Sequence, residues 1–115
     1  MKRGEVYWAD LEPRSGSEQQ GRRPVVIISH DAFNQTHGWR SVIVVPLSTS
    51  QAQAGRGLSV VPIARGVASM TRESFALCHR VTTLDRSKIS RRIGELTSNE
   101  LVQIEAGLKA AMDLS

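Results

Sequence analysis

Apolar residues along the chain fall into short blocks, which polar stretches rich in Gly, Pro and Arg separate from one another. Blocks of this length with many β-branched residues predict strands. We expect strands at 5–11, 25–28, 41–45, 58–63, 74–78 and 81–84, and a short extended segment at 92–96. The runs at 25–28 and 42–45 are apolar without interruption, which is typical of central strands covered on both faces.

Prolines and polar residues set the expected limits of these strands. Pro46 is expected to end or bulge the strand at 41–45, so that 47–50 leave the sheet as a hydroxyl-rich segment. Pro62 places the strand at 58–63 at an edge of the sheet. We expect a bulge near His79 and Arg80, and a helical turn at 30–34 with Asp31 near its N-cap.

The C-terminal part of the chain predicts an amphipathic helix. Thr97 and Glu100 have the spacing of a capping box, in which each side chain satisfies a free N–H group of the first turn. Four apolar residues then recur at helical spacing and predict one stripe facing the core: Leu101, Ile104, Leu108 and Met112. Gly107 costs such a helix about 1 kcal/mol relative to alanine, which indicates close packing at that position.

The composition is that of a soluble globular protein. The 115 residues, of which 40% are hydrophobic and 23% charged, predict one domain over 1–115. The single cysteine, Cys78, excludes an internal disulfide and a zinc site built on several cysteines. The sequence has no apolar run of membrane-spanning length and no signal peptide, so it predicts a cytoplasmic protein with no membrane association.

The charge is basic and consists mainly of arginine. The net charge is +4, from 15 basic and 11 acidic residues, and twelve of the basic residues are arginines. Arginine binds phosphate through two parallel hydrogen bonds, so this balance favours nucleic acid or an acidic protein as partner. A basic surface without a specific partner explains the charge equally well. With two Trp, two Phe and one Tyr, a broad base-stacking platform is not expected.

A polar loop at 16–24 leads directly into the apolar strand at 25–28. Two glycines bracket this loop, and paired arginines precede Pro24, which disfavours helix at Arg23 and holds its guanidinium at the mouth of the strand. The arrangement suits binding of an anion at the edge of a sheet. A solvated turn is the alternative interpretation.

Five segments of the sequence resemble the MazF/PemK/Kid family of toxins. They are RGEVYW at 3–8, GSEQQGRRPVVII at 16–28, DAFN at 31–34, VIVVPLS at 42–48 and TLDRSKI at 83–89. The similarity covers nearly the whole chain, in order and with family-like spacing. The first two motifs together are much more specific than either alone.

The resemblance implies a mainly β fold with short helices, an SH3-like, CcdB-like antiparallel barrel closed by a C-terminal helix. It implies a homodimer that holds single-stranded RNA, chiefly mRNA, in a groove at the dimer interface. Cleavage would be sequence-specific, would need neither metal nor other cofactor, and would use the 2′-hydroxyl of the substrate, leaving a 2′,3′-cyclic phosphate and a 5′-hydroxyl. A cognate antitoxin with an acidic, partly disordered tail would silence the toxin by occupying the groove.

The resemblance also assigns catalytic candidates. Arg23 matches the arginine that binds the scissile phosphate in the family. Ser48 stands where many members carry a catalytic threonine and keeps the hydroxyl, while Thr49 is the rival if the register shifts by one residue. Glu18 is a candidate proton acceptor, with orientation of Arg23 through a salt bridge as the equally weighted alternative.

RNA contacts are expected from the loops and the later strand. Ser17 and Gln19 lie in the loop that would cover the RNA groove, and Ser17 replaces a histidine of some relatives. Thr49 opens a second loop expected to select bases. His79 stands where some relatives have an acidic residue, so it is a candidate proton carrier, an RNA contact, or a residue outside the site. Arg80 replaces a glutamine of some relatives, which alters the expected base preference.

Two alternatives to an RNA-cutting toxin remain open from the sequence. The first is a non-catalytic poison of DNA gyrase on the same barrel, as in the related CcdB toxins. The second is a degenerate homologue that only sequesters antitoxin, which the departures from the family pattern at 77–82 keep open.

Overall fold

The computed structural model describes residues 1–11 and 21–115. Its seven strands are β1 (Glu5–Leu11), β2 (Gly21–Ile27), β3 (Ser41–Ser48), β4 (Val60–Ile63), β5 (Ser74–Leu77), β6 (Thr82–Asp85) and β7 (Ile89–Glu95). Its two α-helices are α1 (Asp31–Asn34) and α2 (Ser98–Met112). Short 3₁₀ turns occupy Gln51–Gln53, Val67–Ser69, Cys78–Arg80 and Arg86–Lys88.

The strands form one antiparallel sheet in the order β4-β5-β3-β2-β1-β7, and β6 pairs with β3 beside this path. Only the turn Arg86–Lys88 joins β6, which lies beside β3, to β7, which lies beside β1. In a flat sheet β3, β2 and β1 would separate β6 from β7 by about 19 Å, so the sheet has to curl to allow this short connection. The expected mainly β fold is confirmed, as a curled sheet that the described strands do not close into a complete barrel.

Residues of β1, β2 and β3 alternate between two hydrophobic cores. The helix-side core lies under α2 and includes Val26, Val45 and Ile104. The second core, which we call the inner core, includes Val25 and Val44. All five side chains are fully buried. This division explains the uninterrupted apolar runs, because successive residues of a strand face opposite sides and both sides of these strands are covered.

Strand β3 runs through Pro46, contrary to the sequence prediction that the strand ends or bulges there. β3 pairs with β6 up to Val44 and with β5 from Leu47 to Ser48. Pro46 lies in the interval between these two partners, so its missing N–H removes no bond to either of them. The hydroxyl-bearing end of the segment therefore remains in the sheet.

Where the sequence predicts a bulge near His79 and Arg80, the structure has a full 3₁₀ turn, Cys78–Arg80, between β5 and β6. Leu47 of β3 pairs with Ala76, whereas Val44 pairs with Thr82. Three steps along β3 thus correspond to six on the opposite side, and the extra residues form the turn.

Helix α2 begins as predicted and packs tightly at its middle. The capping box is present, and the Thr97 N–H donates to Glu100 Oε1 at 2.8 Å. A Cβ at Gly107 would lie 2.7 Å from Cys78 Sγ, which confirms the close packing predicted there. Ile104 is fully buried, but Met112 is 48% exposed, so the predicted core stripe stops before the last turn. In the described residues no helix combines the length and the apolar character needed to cross a membrane.

Glu5 is buried at the start of β1, where three hydrogen bonds hold its carboxylate. Arg92 Nε donates at 2.7 Å, the Lys2 N–H at 2.5 Å and the Tyr7 hydroxyl at 3.0 Å. Burial by itself would raise the pKa of Glu5, but these bonds and the charge of Arg92 outweigh it and hold the pKa below its usual value. The carboxylate therefore stabilises the fold as long as it is ionised.

Replacing Glu5 by Gln is expected to lower the free energy of unfolding at pH 7 by about 1–2 kcal/mol. A lowered native pKa contributes stability above the unfolded value, near 4.5, and this contribution is lost as the pH falls through the native pKa. The difference between wild type and Glu5→Gln in urea denaturation should therefore shrink from pH 7 to pH 3. The control is Glu95→Gln, whose carboxylate contacts the same Arg92 but is largely exposed. An equal difference at both pH values would contradict the prediction.

Candidate functional site

Arg23 lies in β2 opposite Ala9 of β1, and its side chain is exposed. Among the described residues its guanidinium has no hydrogen-bond or ion-pair partner. The preceding residue, Arg22, is committed instead, because its guanidinium lies 5.6 Å above the ring of Trp8 and donates to Ser90 Oγ at 3.3 Å. Of these two adjacent arginines, Arg23 is therefore the one that no described residue engages.

Ser48 lies at the end of β3, and the strand register places it level with Arg23. β2 and β3 pair through Val25 with Pro46 and Val26 with Val45. Continuing this register by two residues sets Ser48 opposite Arg23, on the face that carries the inner core. Ser48 is half-buried, and its Oγ accepts a hydrogen bond from the Ser50 N–H at 3.1 Å. The structure thus aligns a guanidinium that no described residue engages with an oriented hydroxyl, where two neighbouring central strands meet at their ends.

Thr49 is also half-buried but follows Ser48 beyond the end of β3. Because successive residues of an extended chain face opposite sides, the register that aligns Ser48 with Arg23 turns Thr49 away from that face. The geometry therefore favours Ser48 over Thr49 as the partner of Arg23.

His79 and Arg80 lie in the turn Cys78–Arg80, away from Arg23. The turn is level with residues 45–46 of β3, about 7–10 Å along the strand from Ser48. Partial burial lowers the pKa of His79 from 6.5, and the charges of Arg80 and Arg56 act in the same direction. His79 is therefore mainly neutral at pH 7 and able to accept a proton, but within one chain it does not join Arg23 and Ser48.

The predicted roles of Ser17, Glu18 and Gln19 fall outside the described residues. They stay predictions from the sequence.

The other arginines divide into two groups that the sequence does not distinguish. Some are structural: Arg3 pairs with Glu105 at 2.7 Å, and Arg40 with Asp85 at 3.1 Å. In the described part of the chain, others have side chains with no hydrogen bond or ion pair: Arg56, Arg65, Arg72, Arg80 and Arg91. The loop that carries Arg65 and Arg72 leads into β5, which begins at Ser74. This loop ends near Ser48, because Phe75 of β5 pairs with Ser48 of β3. Arginines that no described residue engages thus occur at several places besides Arg23. The sequence alone shows only how many arginines there are.

Cys78 is buried beneath α2, and its Sγ donates to the Ile104 carbonyl at 3.7 Å. Burial raises the pKa of the thiol to about 11, so it does not ionise near neutral pH. Cys78 is therefore a core residue and not a nucleophile.

Comparison with known proteins gives one consistent result. The profile of a family described as PemK-like, MazF-like toxins of type II toxin–antitoxin systems matches residues 2–112. The chain is 30% identical over 114 residues to endoribonuclease MazF2 of Mycobacterium bovis, covering 99% of this chain and 98% of that protein. Its fold is similar to the Mycobacterium tuberculosis toxin MazF-mt6, with a TM-score of 0.78, 21% identity and coverage of 96% and 98% of the two chains. It is also similar to a mycobacterial endoribonuclease in complex with its cognate antitoxin, with a TM-score of 0.74, 23% identity and coverage of 100% and 95%.

Proposed function

This chain belongs to the family of PemK-like, MazF-like toxins of type II toxin–antitoxin systems, and we propose that it is an endoribonuclease that cuts single-stranded RNA, chiefly mRNA, at a specific short sequence. The observation that carries the proposal is the alignment of Arg23, exposed and without a partner among the described residues, with the hydroxyl of Ser48. An unpaired guanidinium beside a serine hydroxyl suits a phosphate group, because together they supply several hydrogen-bond donors and a positive charge.

The proposed reaction needs no metal ion. The 2′-hydroxyl of the RNA attacks the adjacent phosphorus, the bond from phosphorus to the 5′-oxygen breaks, and a 2′,3′-cyclic phosphate and a 5′-hydroxyl result. One proton leaves the 2′-oxygen and another reaches the departing 5′-oxygen. Arg23 binds two phosphate oxygens and stabilises the negative charge that builds up in the transition state. Ser48 donates a hydrogen bond to the same phosphate and fixes its position.

The charge and position of each candidate group decide whether it can carry a proton in this reaction. Arg23 stays protonated near neutral pH and does not act as a base. Glu18 is the candidate that accepts the proton of the 2′-hydroxyl. His79 is mainly neutral at pH 7 but lies about 7–10 Å along β3 from Ser48, so we assign it, with Arg80, to the RNA on either side of the cut.

The proposal includes two protein partners. The chain forms a homodimer with the RNA along the groove between the subunits, in the cytoplasm. A cognate antitoxin with an acidic, partly disordered tail competes for the same surface. The free arginines of the loops around β4 supply the charge that both the RNA and an acidic tail require.

Cleavage of a long single-stranded transcript in EDTA tests the proposal. We expect cuts at one recurring short sequence, with cyclic phosphate and 5′-hydroxyl ends. Ser48→Ala should slow cleavage about 10- to 100-fold, the loss expected for one hydrogen bond to a charged group. Ser50→Ala is the matched control, because it removes a neighbouring hydroxyl while the Ser50 N–H still donates to Ser48.

Intact RNA across several transcripts would overturn the proposal. Growth arrest with DNA damage and no RNA cleavage would identify a gyrase poison instead. Antitoxin binding without growth arrest would identify a degenerate homologue.

A further inference from the structure

Two large aromatic side chains form an exposed pair at the end of the sheet opposite Arg23 and Ser48. Phe33 of α1 is 47% exposed and Trp39, before β3, is 44% exposed. Their ring centroids lie 5.1 Å apart with the planes inclined by 31°. His30 packs edge-on against Phe33 at 6.5 Å. The rings lie against each other and stay exposed to water, so together they present an apolar surface on which a planar ring can stack.

The side chain of Arg86 fixes the backbone that carries this Phe33–Trp39 pair. The guanidinium of Arg86 donates to the carbonyl of Trp39 at 2.5 Å, to that of Phe33 at 3.3 Å and to that of Asn34. Its N–H groups are thus used to fix the two segments relative to each other. A pre-set aromatic surface loses little conformational entropy when a ligand stacks on it.

The polar groups around the Phe33–Trp39 pair include a hydrogen-bond donor. His30 Nδ1 accepts the Ala32 N–H at 2.9 Å, so in the neutral imidazole the proton lies on Nε2. The nearby carboxylates are already engaged: Asp31 accepts from the Arg3 N–H at 2.7 Å, and Asp85 from Arg40 at 3.1 Å and the Ser87 N–H at 2.8 Å. Aromatic faces beside a free donor, with the carboxylates occupied, suit a nucleobase attached to phosphate.

We propose that Phe33, Trp39 and His30 form a second RNA-binding site, on which an unpaired base of the RNA outside the cleaved segment stacks. This inference rests on the proposed function, because it assumes that single-stranded RNA is the substrate. Trp39 precedes Ser48 by nine residues, which along β3 amounts to about 25–30 Å, so the base belongs to flanking RNA. The two rings expose about 200 Å² in total, enough for a base but far below the area of a stable protein interface.

The test compares the binding of two RNAs to protein that cuts them about 10²- to 10³-fold more slowly than the wild type, so that binding is measured before cleavage. The parent is Arg23→Ala, and the probes are an RNA holding only the cut sequence and the same RNA extended by about eight unpaired nucleotides on each side. The extension should strengthen binding to the parent about tenfold, and adding Trp39→Ala should abolish this gain. Trp39→Phe, which keeps an aromatic face, should retain most of it. The control is Val102→Ala, which truncates a side chain that is 61% exposed on α2 and should retain the whole gain.

The outcomes separate this inference from the proposed function. If wild-type protein cuts RNA but the gain from the extension survives Trp39→Ala, the second site is wrong and the cleavage site stands. If wild type cuts no RNA, the proposed function fails and the second site fails with it. If Trp39→Ala weakens binding of both RNAs equally and lowers the mass in sedimentation, the pair is a contact between copies of the chain, which also overturns the inference.

Discussion

Arg23→Ala is expected to reduce RNA cleavage about 10²- to 10³-fold, the loss typical of removing one group that stabilises charge in a transition state. The guanidinium is exposed, and no described residue pairs with it, so its removal breaks no hydrogen bond in this part of the fold. The variant should therefore keep the thermal stability of the wild type. Single-turnover cleavage of a defined transcript measures the effect.

The matched control for Arg23→Ala is Arg22→Ala. The change in net charge is identical and the residues are adjacent in β2, but their side chains leave the sheet on opposite faces. Arg22→Ala loses a contact with Trp8 and leaves the phosphate site intact. Arg23→Lys should restore only part of the rate, because an ammonium group cannot bind two phosphate oxygens through a planar fork. Equal losses from Arg22→Ala and Arg23→Ala would show that general positive charge, rather than this one group, drives cleavage.

Gly94→Ala is expected to destabilise the protein by about 3 kcal/mol or more, the largest stability effect we expect from a single methyl group. A Cβ at Gly94 in β7 would lie 2.2 Å from the carbonyl oxygen of Ala68. The obstacle is backbone, and Ala68 already has a φ of 53° and Ser69 one of 61°, both left-handed. The loop therefore has little freedom to retreat.

Urea denaturation measures the Gly94→Ala effect, with Gly55→Ala as control. A Cβ at Gly55 would meet nothing within 4 Å, but its φ of +73° disfavours alanine. That variant should lose about 1 kcal/mol from backbone strain alone. If Gly94→Ala and Gly55→Ala lowered the free energy of unfolding by similar amounts, the Val67–Ser69 turn would be able to shift and accommodate the new methyl group, which would contradict the prediction.

Local signals in the sequence predicted most of the secondary structure. The strand at 5–11, the Thr97 capping box and the break between strands near His79 depend on neighbouring residues, so they could be recognised without the fold. Asp85 is the N-cap of the turn Arg86–Lys88, and its carboxylate accepts the Ser87 N–H. The cap of α1 differs, because the His30 side chain accepts the Ala32 N–H while Asp31 is the first helical residue.

Features that depend on partners distant in the sequence could not be predicted. Pro46 stays within β3 because that strand changes partner there, and Met112 is exposed although its spacing fits the stripe. For the candidate site, the resemblance named Arg23 and Ser48 individually. Their alignment follows from the register of β2 on β3, and only the structure shows that no described residue forms a hydrogen bond or ion pair with the Arg23 side chain.

The alternation of β3 between the two cores has a consequence for folding. Val44 belongs to the inner core and its neighbour Val45 to the helix-side core, so neither core can melt without pulling this strand from the other. Unfolding should therefore be a single cooperative transition. The partners of β3 include β5 and β6, which end at Leu77 and Asp85, so the nascent chain must extend past residue 85 before β3 can pair fully. Ser48 at the end of β3 therefore acquires its geometry late in synthesis, once its partner Phe75 in β5 is present.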